Sequence, residues 1–514
     1  MLVKKVINHI SILSFRSPWF IIIIFSALGL IGILNHSMWR DELNPWLIVR
    51  DSESFGNLIA NINYEGHPVL WYFSLAFLRK FADTPVVMQI FHWAITIVSV
   101  AIFCLYSPFN YKQKLLFSFG FFPFYEYLLI SRNYAFSMLF IFIFCIGFPS
   151  RKKTYFYLAI LLGLLANSSV HALFISFSLS LTLLVEFCLD SEHRKQYFSQ
   201  SQKYDLFLSI AIIIFSFLLA IYIITPPADS YLHGGLNNGW LIQLDIRHWL
   251  RSIGRLFGSF LLIIPSHKRW LDLVICALIA LVIVALTLIK LCVKPFPLFF
   301  YSIGNCIIFA FTYLRFLGAP RHFGHFYLIF IAALWLESYY QESTFLINKL
   351  SIRQNSLKLA HKWHHIAFML ILYIQFIGGV CSFSRDLIMP FSASHETAHY
   401  IQKSQLENEF MVASRDANMA ALSGYLNRKF YYPEVQRMGS FTIFKKGRQN
   451  VEQTEILRQI TSLLKTQESK NKILLILNKK LNLNSNNLKI IPIKNFERAW
   501  VDSERYYLYW VYKA

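Results

Sequence analysis

The chain has 514 residues, 56% of them hydrophobic and only 15% charged, and its mean hydropathy is +0.45. A soluble globular protein carries about 25% charged residues, so the composition excludes that class and points to a polytopic membrane protein. The formal net charge of +21 would suit nucleic acid. The basic residues, however, fall mostly between apolar runs, where they set topology and meet anionic headgroups. With no zinc-finger spacing and no glycine-rich RNA-binding signature, no nucleic-acid partner is expected.

Lys4, Lys5 and Arg16 precede the apolar run "WFIIIIFSALGLIGIL". "NHSMW" follows in place of a small-residue cleavage site, which predicts an uncleaved first helix. Spanning helices need about 20 mostly apolar residues. The segments that qualify are 19–34, 86–105, 115–130, 134–148, 155–167, 170–188, 206–224, 271–293, 296–314, 323–336 and 366–381, about eleven spans in all. Two further apolar stretches, 69–78 and 252–265, read as interfacial helices. If neither spans, the basic segments 111–114, 151–153, 193–203, 290–294 and 349–362 all share the cytoplasmic side with the N-terminus. His361, His364 and His365 then read as cytoplasmic loop residues.

The same topology puts the loop 36–85 outside, with four basic residues against six acidic ones. Also outside are the turns 131–133 and 168–171, the loop 225–270 and the "RFLGAPRHFGH" turn. Residues 1–382 form the transmembrane domain. Residues 383–514 read as a soluble extracytoplasmic α/β domain: helix-like "SHETAHYIQKSQ", strand-like "EFMVAS", helix-like "ANMAALSGYL", strand-like "GSFTIF", amphipathic "TEILRQITSLLKTQ", strand-like "KILLIL" and a final "YYLYWVY". The seven cysteines lie within or beside apolar runs without a C-x-x-C pair, so neither disulfides nor a cysteine-bound metal is expected.

Asp41 and Glu42 follow the first helix directly. A carboxylate can take the proton of a hydroxyl nucleophile, and a second one beside it can raise its pKa or hold a metal. About two dozen residues later comes "YEGHPVLWYF". "RDE" after the first span, then "EGHP", "SRNYA" and "PRHFGH" in that order and on one side, resemble the GT-C membrane glycosyltransferases, in the branch of the protein O-mannosyltransferases and aminoarabinose-transferase-like enzymes. The resemblance covers roughly residues 1–340 and implies an all-helical GT-C fold that takes a sugar from a polyprenyl-phosphate donor. Asp41 matches the family's catalytic base and Glu42 its acidic neighbour. Family members commonly carry two prolines after the histidine, where this chain has His67, Pro68 and Val69.

Arginine suits a phosphate because its planar fork matches the phosphate oxygens. Arg132 and Tyr134, and Arg321, His322 and His325, resemble positions where the family contacts donor phosphate, and outer arginines run against the positive-inside trend. Arg247, Arg251 and Arg255 recur at i, i+4 and i+8, on one face of a helix that reads as interfacial. Glu65, His67, His171 and Glu126 are further candidates near outer helix ends. Glu65, His67 and His171 could join an acidic-loop residue around a divalent metal, a weak pattern that leaves the cofactor unassigned. Asp416, in "ASRDANMA", reads as a helix-start residue without chemistry.

The resulting expectation is an inverting transferase of a bacterial-type inner membrane. It would move a hexose or pentose from a polyprenyl-phosphate donor to a hydroxyl of an extracytoplasmic lipid, glycan or protein. The rival readings are a polysaccharide polymerase or ligase, which would lean on the Arg247–Arg255 stripe, and a lipid flippase or transporter, which would need mid-span ionisable groups and paired halves. A non-catalytic assembly scaffold is the remaining alternative.

Overall fold

The first helix, α1 (Pro18–Asn35), ends at a charged segment of three short helices, α2 (Arg40–Asp51), α3 (Phe55–Ile62) and α4 (Leu70–Leu78). The chain returns through α5 (Val86–Tyr106), α6 (Tyr111–Ser118) and a π-helical turn (Phe121–Glu126) to α7 (Tyr134–Gly147), which runs on as a 3-10 turn to Lys152. Then follow α8 (Phe156–Ala166), α9 (Val170–Leu189), α10 (Ser191–Gln200), α11 (Asp205–Ile224) and α12 (Ile246–Leu261). The bundle is completed by α13 (Trp270–Leu291), α14 (Pro295–Leu314), α15 (Pro320–Leu336), the short α16 (Phe345–Lys349) and the long α17 (Gln354–Ile388). The computed structural model describes residues 17–231, 244–265, 269–351, 353–465, 472–482 and 487–513. Lys4, Lys5, Arg16 and Ala514 lie outside that set, as does part of the expected loop 225–270.

Among the described residues, eight helices are long and apolar enough to cross a membrane: α1, α5, α7 with its 3-10 extension, α9, α11, α13, α14 and α17. The other three expected spans are shorter or interrupted. α8 and α15 are apolar but have only 11 and 17 residues. Segment 115–130 is not one helix. Pro123 has no amide hydrogen to donate, and the chain closes a π turn in which the Tyr127 amide bonds the Phe122 carbonyl at 2.8 Å. Residues 122–138 are all buried, so this segment is bundle core, not a lipid-facing rod.

The stretch 69–78 forms α4, which buries Trp71, Tyr72 and Leu75 under the loop layer. The stretch 252–265 supplies the end of α12, stopped at Leu262 by a left-handed residue (φ 59°). His361, His364 and His365 are helical, in α17, not loop residues: an uninterrupted run from Gln354 carries the helix past them, and His364 packs on Phe330 and Phe368. The expected basic end of the bundle is closed by ion pairs, Arg151 with Glu186 and Lys290 with Glu337.

Beyond α17 the chain builds a six-stranded mixed sheet from β1 (Met411–Ser414), β2 (Phe430–Tyr432), β3 (Arg437–Gly439), β4 (Lys472–Leu477), β5 (Leu488–Phe496) and β6 (Tyr506–Lys513), in the order β3-β2-β1-β4-β6-β5. β1 runs parallel to β2 and β4, and the other pairings are antiparallel. α18 (Ser394–Lys403) and α19 (Asp416–Leu426) pack on one face through Ala398, Ile401, Met419 and Leu422. α20 (Gln453–Leu463) covers the other through Ile456, Leu457 and Ile460. The expected strand "GSFTIF" is one only at its first residue. From Ser440 the chain leaves the sheet, because the Thr442 amide donates to Asn44 of α2 at 2.9 Å.

This domain docks on α2 and the turn before it. The Met38 amide donates to the Tyr425 hydroxyl at 2.8 Å, Ser394 donates to the Met38 carbonyl at 2.8 Å, and Arg50 donates to Asn427 at 2.6 Å. Loop 36–85 and the C-terminal domain therefore share one end of the bundle.

Candidate functional site

Helix α2 begins after Trp39 and carries Asp41 and Glu42 in its first turn, where exposed amides and the helix dipole favour negative charge. The two carboxylates turn in opposite directions. Glu42 is wholly buried. One of its oxygens accepts from the Trp39 amide at 3.2 Å and from His36 at 3.0 Å, and the other accepts from the Ser131 amide at 2.7 Å. His36 in turn bonds Asp386 of α17 at 2.8 Å. Burial works against charging His36, but Asp386 and Glu42 outweigh it and push the imidazole up to about 10. Glu42 thus ties the exit of α1 to the 131–133 turn and does not line the cavity that Asp41 faces.

Asp41 faces a cavity of about 1240 Å³ that also contacts Glu65, His67, Arg132, Tyr134, His171, Arg321 and His322. Its carboxylate accepts from Arg321 at 2.8 Å and lies 3.7 Å from the Arg40 guanidinium. Burial pushes Asp41 up, but Arg321, Arg132, Arg40 and His67 together outweigh it and hold the carboxyl below its usual range. Arg132 reaches the same point through the backbone. Pro45 lies inside α2 four residues after Asp41 and cannot donate the helical hydrogen bond that the Asp41 carbonyl would otherwise accept. Arg132 donates to that carbonyl instead.

The second nitrogen of the Arg132 fork donates to His67 Nε2 at 3.0 Å. His67 is therefore a neutral acceptor, and burial with the nearby guanidinium groups pushes it down to about 3. Gly66, at φ +67°, makes the turn that lets Glu65 and His67 face the same cavity. Glu65 accepts from Asn44 at 3.2 Å and Tyr72 at 3.3 Å. Burial pushes its carboxyl up to about 7, against the pull of Arg132 and Asn44.

At the start of α15 the Ala319 amide donates to His322 Nδ1 at 2.9 Å. The His322 proton then sits on Nε2 and points at the Tyr134 hydroxyl, 2.9 Å away. Gly318 (φ +74°) permits this, since a Cβ there would meet the His322 Cβ at 2.9 Å. His325 lies behind the cavity wall, donating from Nδ1 to the His322 carbonyl at 2.8 Å and stacking on His171 with 5.1 Å between centroids. Arg247 is exposed, Arg251 is half-buried, and neither lines the cavity. α12 packs on the bundle by its other side, with His248 bonding the Tyr313 carbonyl at 2.8 Å. Glu126 is buried in the π turn, also away from the cavity lining.

Sequence reading missed Asn44 and a second wall from the C-terminal domain, including Asn418, Thr442, Phe444 and Arg448. Asn44 carries one usable signal, its place one turn after Asp41. The C-terminal residues carry none. Asp416 does start α19, and it holds Arg448 by two bonds of 2.6 and 2.9 Å.

A metal fits poorly beside Asp41. Its neighbours are guanidinium groups, Glu42 has no free oxygen to offer, and no group of three or more His, Cys, Asp or Glu side chains among the described residues converges as ligands. The arrangement suits an anion. Arg132 and Arg321 each keep a buried Nε without a partner. The far wall is apolar and comes from the ends of α9, α11 and α14, with Phe174 against Phe311 and Phe177 against Phe217. Phe177 is 44% and Ile221 48% exposed.

No protein-family model matches the chain, and no curated protein matches it in sequence. Among solved structures, the chain is similar to ArnT from Cupriavidus metallidurans in two crystal structures. The form bound to undecaprenyl phosphate gives a TM-score of 0.44 and the apo form 0.45, each at 11% identity over 95% of this chain and 97% of that one. A likeness at this level concerns the course of the chain and not its chemistry.

Proposed function

We propose that this protein is an inverting membrane glycosyltransferase that moves a sugar from a polyprenyl-phosphate donor to an acceptor hydroxyl at the outer face of a bacterial-type inner membrane. One observation carries the reading. A single cavity joins an apolar wall, a cluster of arginines with unused donors, and a carboxylate. A polyprenyl phosphate has those needs in that order: a hydrocarbon tail, an anion at the bilayer surface, and a reacting centre just beyond it.

In this reading the isoprenoid chain lies along Phe177, Phe217 and Ile221, and the phosphate meets Arg132 and Arg321. Asp41 takes the proton of the acceptor hydroxyl as its oxygen attacks the anomeric carbon from the side opposite the phosphate. The bond from that carbon to the phosphate oxygen breaks, and its electron pair leaves with the phosphate. The donor is a phosphodiester with one negative charge, whereas the departing monoester gains a second. The arginines are therefore placed to stabilise the charge that develops, usually the largest contribution to such catalysis. A carboxylate held below its usual range suffices as base, because the hydroxyl becomes strongly acidic only once its bond to carbon is forming.

The polymerase or ligase reading leaned on the α12 arginines, which do not line the cavity. The test is to incubate the purified chain with polyprenyl-phosphate hexoses and pentoses carrying a labelled sugar, together with lipid and glycan extracts of the cell envelope. Expected is label on an extract component with inverted anomeric configuration and one polyprenyl phosphate released per sugar moved. Retained configuration, or no release from any donor, would contradict the proposal.

A further inference from the structure

The C-terminal domain presents a second wall to the cavity, and its chemistry differs from that of the arginine cluster. Asn418 and Thr442 are 2% and 3% exposed. Asn418 Nδ2 and Thr442 Oγ1 are buried without a hydrogen-bond partner, although both residues line the cavity. Leaving a buried polar atom unpaired costs about 1–3 kcal/mol, so two of them on one cavity wall point to a ligand that supplies the missing partners.

The wall also carries two arginines, Arg448 and the exposed Arg415. The Arg448 guanidinium donates to Asp416 and to Asn450 Oδ1 at 3.2 Å. Phe444 adds an aromatic face. The unpaired neutral atoms of Asn418 and Thr442, beside a ring, suit the hydroxyl groups of a polyhydroxyl ring.

Topology supports the same conclusion. β1 is the strand from which the sheet order runs both ways, to β2 on one side and β4 on the other. Ala417 and Asn418 sit just beyond its carboxyl end, the position where open α/β sheets bind ligands. The wall is pinned to the reacting end of the cavity as well. Asn44, one turn from Asp41, holds the Thr442 amide with one side-chain atom and donates to Glu65 with another.

Resting on the transferase reading, we infer that Asn418 and Thr442 bind hydroxyl groups of the sugar carried by the lipid donor, so that the C-terminal domain sets which sugar is accepted. A glycan acceptor would offer the same hydroxyl chemistry, and the test separates the two sources. Purified full-length protein is titrated with undecaprenyl phosphate and with undecaprenyl-phosphate mannose, glucose, galactose and arabinose, and acceptor KM is measured with the preferred donor. Wild-type protein should bind at least one sugar-bearing lipid about tenfold more tightly than the bare phosphate, the value of one hydrogen bond to a fixed partner. Thr442→Val, close in shape, and Asn418→Ala should each erase most of that gain while leaving bare-phosphate affinity unchanged.

An unaltered sugar preference in Thr442→Val, with the thermal midpoint also unaltered, would overturn the inference and leave the transferase reading intact. Loss confined to acceptor KM would likewise overturn it and move the subsite to the acceptor. Wild-type protein that fails to bind even the bare phosphate would overturn the transferase reading and this inference together.

Discussion

Each end of the helical bundle carries an arginine–carboxylate pair, one buried and one half-buried, and the two are built differently. Arg151 and Glu186 are 4% and 2% exposed at the side chain and meet through two parallel bonds of 2.9 and 3.1 Å. The remaining guanidinium nitrogen donates to the Phe148 carbonyl, and the Phe148 ring lies 3.9 Å from its centre. Arg321 and Asp41, 20% and 26% exposed, share one bond and open on the cavity, with Arg321 Nε unused. A pair in which every guanidinium nitrogen is bonded holds helices together. A pair with donors in reserve can take a ligand.

The comparison breaks if the closed pair proves dispensable. Arg151→Met strands a buried carboxylate, a change that costs about 3–5 kcal/mol. The thermal midpoint of the purified protein should fall steeply, and adding Glu186→Leu should restore most of it, since apolar replacement of a whole buried pair is often near neutral. Protein that survives folding should keep its specific activity. Arg321→Ala should show the reverse pattern, a small change in midpoint and a large one in function. A charge-assisted hydrogen bond is worth about 1.5–3 kcal/mol, so affinity for undecaprenyl phosphate should drop by about an order of magnitude or more.

A finer prediction concerns Pro45. Pro45→Ala restores an amide to α2 that can bond the Asp41 carbonyl, in competition with Arg132. One neutral hydrogen bond is worth about 1 kcal/mol, so turnover should fall only a few-fold while helix stability rises slightly. Unchanged turnover would mean that the carbonyl does not position Arg132.

The smallest effect expected is on pH. Glu65 has its carboxyl raised to about 7, so it charges on passing from pH 6 to 8 and places a negative group beside Arg132. Its raised value also means that folding stability falls as pH rises from the unfolded carboxyl range towards 7 and is level above it. Donor affinity should weaken a few-fold across pH 6 to 8 in the wild type and stay level in Glu65→Gln. Asp41, held low, should add no limb in that window. A donor affinity equally pH-dependent in both proteins would remove Glu65 from the account.

Much of this site was legible in the sequence because its cues are local. "RDE" at the end of a span, "EGHP" with its turn glycine, and an arginine in each of two outer turns arrive with their spacing. They placed Asp41, Glu65, His67, Arg132, Tyr134, His171, Arg321 and His322 at one end of the chain's bundle, and all eight line one cavity. The inward turn of Glu42 was not legible, because it depends on His36 and on Asp386, some 350 residues away. Nor was the wall of Asn418 and Thr442, which faces the site only because the domain docks on α2. The arginine periodicity of α12 was real, but periodicity specifies a face and not what that face meets. Pro45 was visible and informative: a proline four residues after Asp41 announces a free carbonyl.

The central claim is that Asp41 takes the acceptor's proton, and the most direct measurement is the single-turnover rate of Asp41→Asn with a polyprenyl-phosphate sugar already bound. Asparagine keeps the shape but cannot accept the proton, and it no longer competes with phosphate for Arg321. Donor binding should be at least as tight as in the wild type, while the transfer rate falls by about 10²–10⁴-fold, the usual contribution of a general base. Transfer at the wild-type rate by folded, donor-bound Asp41→Asn would contradict the account.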